Sequence, residues 1–217
     1  MALKLVIASK NYSSWSLRPW LALAHHKIPF EEVIIPLDQP DTKSRIAEYS
    51  PAGKVPILLD GKDTIWESLA ILEHLNERFP EVKLWPSEPS ARAHARAIAT
   101  EMHGGFAALR QNCPMNIKRK KKRDLAPGVH EDINRITQIW RGARERFGAG
   151  GEYLFGGFSA ADCMYAPVAT RIVSYEIDVD AVSAAYVAAI YRLPAFVAWR
   201  EAAVTEPWPY RATDSVV

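Results

Sequence analysis

The 217-residue sequence predicts an N-terminal α/β domain followed by a C-terminal domain built only of helices. Over the first eighty residues, short apolar runs of strand length alternate with helical stretches. Beyond residue 90, apolar residues recur at helical spacing, and no convincing strand is found. Three prolines fall between residues 80 and 89, where periodicity is weak. We therefore expect domains over residues 1–80 and 90–217, joined by a linker over residues 81–89.

The N-terminal part opens with a β-helix-β unit. Leu3–Ala8 and Phe30–Ile35 are apolar runs of strand length, and an apolar helical stretch from about residue 16 to residue 27 separates them. Such a unit usually pairs its two strands in parallel.

The remainder of this domain is predicted as a hairpin and a helix. A polar, turn-rich segment covers residues 36–50. Strands over residues 55–59 and 64–66 follow, joined by the hairpin turn signal Asp60-Gly61. A helix over residues 68–79 ends the domain. The order β-α-β-α-β-β-α is that of a thioredoxin-like domain.

Helical periodicity dominates the second half of the chain. Two sets of apolar residues repeat at helical spacing: Ile98, Met102, Phe106 and Leu109, and then Ile133, Ile136, Trp140, Ala143 and Phe147. Three further helical stretches lie near residues 160–174, 182–192 and 194–204. We expect no strand in this domain.

Composition favours a soluble protein of the cytoplasm. The net charge of +2 gives no reason to expect a nucleic-acid or anionic membrane partner, and no apolar run approaches about 18 residues. The first eight residues are predicted as a buried strand, not a signal peptide. Cys113 and Cys163 lie far apart in no CxxC pattern, so we expect neither a disulfide nor a metal site.

Four local patterns occur in a specific order. They are Tyr12-Ser13-Ser14-Trp15-Ser16-Leu17-Arg18, Gly53-Lys54-Val55-Pro56-Ile57-Leu58, Trp66-Glu67-Ser68-Leu69-Ala70-Ile71 and Phe158-Ser159-Ala160-Ala161-Asp162. Together they resemble the glutathione S-transferases, in particular the serine-type classes related to zeta. Each pattern alone is weak, but four in the correct order at sensible spacing are specific. The resemblance covers essentially the whole chain.

The resemblance implies a glutathione site on two of these patterns. Pro56 is expected to follow a cis peptide bond that turns the backbone N–H and C=O of Val55 toward the cysteinyl unit of glutathione. Ser68 is a natural N-cap, and the free N–H groups of a helix start can hold a carboxylate. In the family, the serine of this pair takes the γ-glutamyl carboxylate and the acid, here Glu67, takes the ammonium group.

The fourth pattern has a structural interpretation. Ser159 and Asp162 have the spacing of a capping box, in which each side chain accepts from the backbone N–H of the other residue. The family uses this motif to support folding of its helical core. We therefore do not assign Asp162 as a catalytic acid, and we expect loss of the box to cost about 1–2 kcal/mol.

The chemistry implied for the site is activation of a thiol. A free thiol of pKa about 8.5 is only about 3% thiolate at pH 7, and lowering its pKa by about two units makes it mostly thiolate. A hydroxyl that donates to the sulfur, with the dipole at the start of the first helix, can supply the required stabilisation. Four hydroxyl residues compete for this role: Tyr12, Ser13, Ser14 and Ser16.

Pro19 helps to choose between them. Proline is tolerated in the first turn of a helix, so the helix is expected to begin near residue 15 or 16 with Ser16 as its N-cap. The family places its catalytic serine four or five residues before the arginine that matches Arg18. These positions are Ser14 and Ser13, of which we slightly favour Ser14.

The second substrate is expected beside the C-terminal helices. Trp15, His103 and Phe106 are the candidates to line this electrophile pocket, although His103 can also be explained as a partly buried helix residue. Compared with the zeta pattern, Trp15 replaces a cysteine. Ser174 stands where the zeta isomerase has an arginine for a substrate carboxylate, with Arg171 one turn earlier. These departures weaken the case for maleylacetoacetate isomerase activity.

The leading hypothesis is a glutathione transferase that uses glutathione as cosubstrate against a small electrophile. A glutathione-dependent isomerase or dehalogenase is the second hypothesis, and a non-catalytic glutathione-binding or interaction module is the third. The resemblance also implies a homodimer paired through the fourth and fifth helices. The basic run over residues 118–123 is interpreted as a solvated loop tip between two helices, in preference to an RNA-binding patch.

Overall fold

In a computed structural model, residues 3–122 and 124–215 are described; they form a four-stranded sheet and a larger group of helices. The strands are β1 (Leu3–Ala8), β2 (Phe30–Ile35), β3 (Ile57–Asp60) and β4 (Asp63–Trp66). The sheet order is β2-β1-β3-β4, with β1 and β2 parallel and the other two pairs antiparallel. The predicted β-helix-β unit and hairpin are thus confirmed.

Ten α-helices accompany the sheet in the described residues. They are α1 (Ser14–His25), α2 (Thr42–Ala47), α3 (Ser68–Arg78), α4 (Pro89–Gly104), α5 (Ala107–Asn112), α6 (Pro127–Phe147), α7 (Ala160–Ser174), α8 (Ala181–Arg192), α9 (Pro194–Thr205) and α10 (Arg211–Asp214). A thioredoxin-like N-terminal part and an all-helical C-terminal part are therefore confirmed. The boundaries at residues 80 and 90 remain our proposal; a short 3-10 helix (Pro80–Val82) lies between the two parts.

One continuous apolar core joins the sheet to the helices. Alternate residues of β1, Leu3, Leu5 and Ile7, pack in this core together with α1 and α3. Helix α7 lies at the centre of the helical part, where it contacts α1, α4 and α8. All of its residues but one are buried, which explains why its sequence is apolar on every side.

The start of α1 differs from the prediction. The helix begins at Ser14 and its N-cap is Ser13, whose Oγ accepts the N–H of Ser16 at 3.3 Å. The assignment of Ser16 as N-cap is therefore wrong. Pro19 lies inside the helix, past its first turn, at the expense of one i→i−4 hydrogen bond to the carbonyl of Trp15.

The predicted helix through Ile98 and Leu109 is broken in two. Helix α4 ends at Gly104, Gly105 is extended, and Phe106 begins α5 from the left-handed region with φ of 62°. Two consecutive glycines lower the helix propensity at this point, and the new direction of α5 takes the chain away from the α4 axis.

In the part of the chain that the structure describes, no single helix is long and apolar enough to cross a membrane. The pair α8 and α9 reaches the required length and composition only jointly, with a bend of 71° between them.

Candidate active site

A cleft of about 650 Å³ lies where the sheet part meets the helical part. The first wall comes from the start of α1, the turn before β3 and the start of α3. The second wall comes from α4, α5, the loop after α5, α7 and the C-terminal tail. The predicted site residues in its lining are Ser13, Ser14, Trp15, Val55, Pro56, Glu67, Ser68 and His103.

The hydroxyl of Ser13 makes two hydrogen bonds within the protein. Its Oγ accepts the N–H of Ser16 and donates to Ser16 Oγ at 2.7 Å, and Ser16 Oγ in turn accepts the N–H of Ala8 at 3.2 Å. This chain ties the helix start to the end of β1. The hydroxyl of Ser13 is therefore committed to capping.

Ser14 has a different environment. It is the first residue of α1, it is 7% exposed, and it lines the cleft. Its N–H donates to the Tyr12 carbonyl at 3.0 Å, but no side-chain hydrogen bond of Ser14 to another described residue is present. Its hydroxyl is thus free to donate to a group in the cleft, at the positive end of the α1 dipole.

Val55 and Pro56 also line the cleft. The peptide bond between them is cis, as the resemblance implied. Strand β3 begins only at Ile57, and neither the N–H nor the C=O of Val55 forms a hydrogen bond within residues 3–122 and 124–215. This half-buried backbone can pair with an extended peptide lying in the cleft.

The start of α3 forms an open anion site. Its N-cap is Glu67, with φ of 69° and no side-chain capping bond, so the assignment of Ser68 as N-cap is wrong by one residue. The first helical bond runs from the N–H of Ile71 to the Glu67 carbonyl. The preceding N–H groups of the helix have no partner among the described residues, and they suit a carboxylate.

Arg18 contacts the start of α3 from the interior of the protein. It is fully buried, and its Nη1 donates to Ser68 Oγ at 3.2 Å. Its Nε and Nη2 have no partner in the described part of the chain. Burial, together with Arg110 and Arg171, holds the pKa of the Arg18 guanidinium well below its ordinary value. A negative charge in the cleft would offset the repulsion among these cations.

Trp15 forms the floor of the other half of the cleft. The guanidinium carbons of Arg18 and Arg110 lie 4.1 and 4.8 Å from its ring centroid. The His103 ring meets it edge-on at 5.3 Å. His103 Nε2 is 3.4 Å from Glu67 Oε2, but burial, reinforced by the nearby Arg18, lowers the pKa of His103. This contact is therefore mainly one between an uncharged ring and a carboxylate at neutral pH.

Phe106 does not line the cleft. It is 8% exposed and packs in the core, because the break after Gly104 rotates it off the face that carries His103. Sequence reasoning also missed cleft residues, among them Arg110 and Tyr210. Arg110 could have been identified from the sequence because it is an arginine within an otherwise apolar helical repeat.

The capping box lies outside the cleft lining. Asp162 is fully buried; Oδ2 accepts the N–H and hydroxyl of Ser159, both at 2.8 Å, and Oδ1 accepts the N–H of Leu154 at 3.1 Å. Burial raises the pKa of Asp162 to about 6, although these bonds favour the charged form. The box is confirmed as a structural feature of the start of α7.

The basic run is part of the loop between α5 and α6. Lys120, Lys121 and Lys122 are exposed, as expected for a solvated tip, while Arg123 lies outside the described residues. Lys118 and Arg119 instead reach the C-terminal tail. Within the described residues, no group of three or more His, Cys, Asp or Glu side chains could hold a metal ion, and the expected absence of a metal remains a prediction.

Similarity to known proteins identifies the family of this chain. A family profile described as the glutathione S-transferase N-terminal domain matches residues 12–78. A maleylacetoacetate isomerase of Rattus norvegicus is 30% identical over 184 residues, which cover 82% of each chain. The chain belongs to the glutathione S-transferase family. Within this family its relatives indicate a zeta-like member.

Two further likenesses refine the comparison. A probable maleylacetoacetate isomerase of Caenorhabditis elegans is 38% identical over 119 residues, but the match spans only 55% of this chain and 56% of the relative. A crystal structure of a glutathione transferase homologue from Burkholderia with bound glutathione superposes with a TM-score of 0.70 at 20% identity, covering 93% of this chain and 97% of that one. This second likeness extends the family fold to nearly the whole chain.

Proposed function

We propose that this protein is a glutathione transferase that ionises the thiol of glutathione and adds it to a small electrophile. The observation that carries the proposal is the Ser14 hydroxyl, which lies uncommitted at the start of α1 and lines the cleft that also contains the open start of α3. These are the two features that a thiol-activating glutathione site requires: one donor for sulfur and one anion site for the γ-glutamyl end.

Glutathione is proposed to lie extended along the sheet side of the cleft. The N–H groups at the start of α3 and the Ser68 hydroxyl hold the γ-glutamyl carboxylate, and Glu67 takes the ammonium group. The backbone of Val55 pairs with the cysteinyl unit. This orientation directs the sulfur toward the start of α1.

Ser14 is proposed to donate its hydroxyl proton in a hydrogen bond to the sulfur and not to act as a nucleophile. The thiol proton leaves to solvent, and the thiolate is stabilised by this bond and by the α1 dipole. A shift of two pKa units requires about 2.7 kcal/mol, which one charge-assisted hydrogen bond and a helix dipole together can supply. The thiolate then attacks an electrophile held against Trp15 and His103.

Binding and turnover measured together test this proposal. Ultraviolet absorbance of the thiolate, followed against pH, is expected to give the bound thiol a pKa clearly below about 8.5. A panel of chloro- and nitro-aromatic, epoxide and haloalkane electrophiles is expected to include at least one that is conjugated. Tight glutathione binding with an unshifted thiol pKa and no turnover would instead support the non-catalytic binding module.

A glutathione-dependent cis-trans isomerase is the second candidate. The relatives from Rattus norvegicus and Caenorhabditis elegans are named a maleylacetoacetate isomerase and a probable one. Arg171 lines the cleft, although Ser174 occupies the position expected for an arginine. Ser174 itself is buried and donates its hydroxyl to the Asn116 carbonyl at 2.9 Å. Cis-trans isomerisation of an electron-poor alkene that carries a carboxylate, dependent on glutathione without its consumption, would favour this candidate over net conjugation.

The assembly and location are also proposals. We infer a homodimer paired, as the resemblance implies, through the fourth and fifth predicted helices, which contain Ile98 and Ile133 and correspond to α4 and α6. Sedimentation as a monomer at micromolar concentration would contradict this. A cytoplasmic location is consistent with two buried cysteines that form no disulfide among the described residues, and fractionation of the source cells tests it.

A further inference from the structure

The C-terminal tail, residues 206–214, contacts the loop that precedes the candidate catalytic serine. This loop, residues 9–13, runs from the end of β1 to the N-cap of α1. The tail lies almost two hundred residues later in the chain, after α9. Their contacts include hydrogen bonds to two backbone N–H groups of the loop and to the Tyr12 hydroxyl.

Glu206 makes the closest of these contacts. Its Oε1 accepts the N–H of Lys10 at 2.7 Å and its Oε2 accepts the N–H of Asn11 at 3.0 Å. Glu206 is 7% exposed, and both loop residues are buried as well. Because the two carboxylate oxygens of Glu206 accept two consecutive N–H groups, they fix both the position and the orientation of that peptide segment.

Because the loop of residues 9–13 is tightly folded, the position of Lys10 and Asn11 determines where Ser14 lies. The N–H groups of Tyr12 and Ser13 both donate to the Ser9 carbonyl, at 3.1 and 2.9 Å, and the N–H of Ser14 donates to the Tyr12 carbonyl. Lys10 and Asn11 are the middle of this turn. A displacement there moves the peptide units that place Ser14.

A second set of bonds holds the tail itself in place. Asp214 accepts the Tyr12 hydroxyl at 3.1 Å and the Asn116 amide at 3.0 Å. Two members of the basic run complete the set, since the Lys118 ammonium donates to the Glu206 carbonyl and Arg119 donates to the Asp214 carbonyl at 3.2 Å. These bonds give the first two residues of the basic run a defined contact.

We propose that Glu206 is a positioning residue for thiol activation, which holds the loop of residues 9–13 so that Ser14 presents its hydroxyl to the sulfur. This inference rests on the proposed function. Glu206 does not line the cleft, so it acts through the loop and not on the substrate.

The variant Glu206→Gln tests the proposal with little change in size. A carboxylate offers two acceptors to two N–H groups, whereas an amide offers one acceptor and one donor. One of the two loop N–H groups then faces an NH₂ group and must move away. Glu201→Gln is the matched control, because Glu201 lies on the exposed side of α9 and loses the same charge.

In Glu206→Gln we expect the pKa of the bound thiol to rise by about 0.5–1 unit and kcat at pH 6.5 to fall about two- to fivefold. At pH 9, where the thiol ionises unaided, kcat is expected to match the wild type. The KM for glutathione is expected to stay close to the wild-type value, since the start of α3 is untouched. Glu201→Gln is expected to behave as wild type in all these measurements.

The outcomes separate this inference from the proposed function. A wild-type bound thiol that titrates like the free thiol refutes the function. A lowered wild-type thiol pKa that Glu206→Gln leaves unchanged refutes the positioning role alone. If Glu206→Gln does not fold, the same titration is made with Lys118→Met. This variant removes the ammonium bond to the Glu206 carbonyl, and the substituted residue is exposed. A raised thiol pKa in that variant supports the inference, and an unchanged one overturns it.

Discussion

The starts of α3 and α7 use the same kinds of residue in opposite ways. At α7, Ser159 and Asp162 satisfy each other, and the whole group is buried. At α3, Glu67 adopts a left-handed backbone conformation, makes no capping bond, and leaves the first N–H groups open to the cleft. Both sites combine a serine with an acidic residue at a helix start.

The bond that the acid makes, and not its position alone, decides what each helix start can do. Asp162, three residues into α7, reaches back and closes the start. Glu88, which precedes α4, also closes its helix start by accepting the N–H groups of Ser90 and Ala91. Glu67 makes no capping bond and leaves the first N–H groups of α3 for a ligand. The closed start stabilises the fold, whereas the open start is available for binding.

Removal of the acid from the closed start should have the largest effect. Asp162→Ala leaves the buried N–H groups of Leu154 and Ser159 without acceptors. We expect the free energy of unfolding to fall by about 2–4 kcal/mol, since each buried N–H group without an acceptor costs about 1–3 kcal/mol. Urea denaturation measures this. Folded variant protein should bind glutathione with unchanged affinity; a selective loss of affinity would contradict the assignment.

Loss of the hydroxyl from the open start should act on binding. We expect Ser68→Ala to weaken glutathione binding by about 1–3 kcal/mol, the usual value of a hydrogen bond to a charged group. Ser68→Thr keeps the hydroxyl and is the control, expected to retain most of the affinity. Calorimetric titration of both variants measures the effect. An unchanged dissociation constant in Ser68→Ala would refute this placement of the γ-glutamyl carboxylate.

The closed start should also make stability depend on pH. Because burial raises the pKa of Asp162 from 3.8 to about 6, its folded form retains a proton that the unfolded chain has lost. Its contribution is fully present below the unfolded pKa and is lost as pH rises through about 6. The unfolding free energy of wild type relative to Asp162→Asn should fall by about 2 kcal/mol between pH 4.5 and 7.5. A pH-independent difference would contradict this.

Local motifs predicted the fold and many of the cleft residues, because strand length, turn chemistry and capping depend on neighbours in sequence. The start of α1 was misplaced because Pro19 was assumed to lie in the first turn, whereas the observed N-cap, Ser13, lies three residues before the predicted one. Phe106 was misplaced because periodicity does not register a change of helix direction at Gly104 and Gly105. Contacts such as that of Glu206 with Lys10 join distant segments and carry no local signal.

Ser14, and not its neighbour Ser13, is proposed to activate the thiol. The direct test of this role is the ultraviolet absorbance of the bound thiolate against pH in Ser14→Ala and Ser13→Ala. Ser14→Ala is expected to raise the thiol pKa by about one to two units. Ser13→Ala should instead lower the free energy of unfolding by about 0.5–2 kcal/mol through loss of the α1 cap, and move the titration clearly less than Ser14→Ala does. A titration that moves at least as far in Ser13→Ala, or that moves in neither variant, would contradict this role of Ser14.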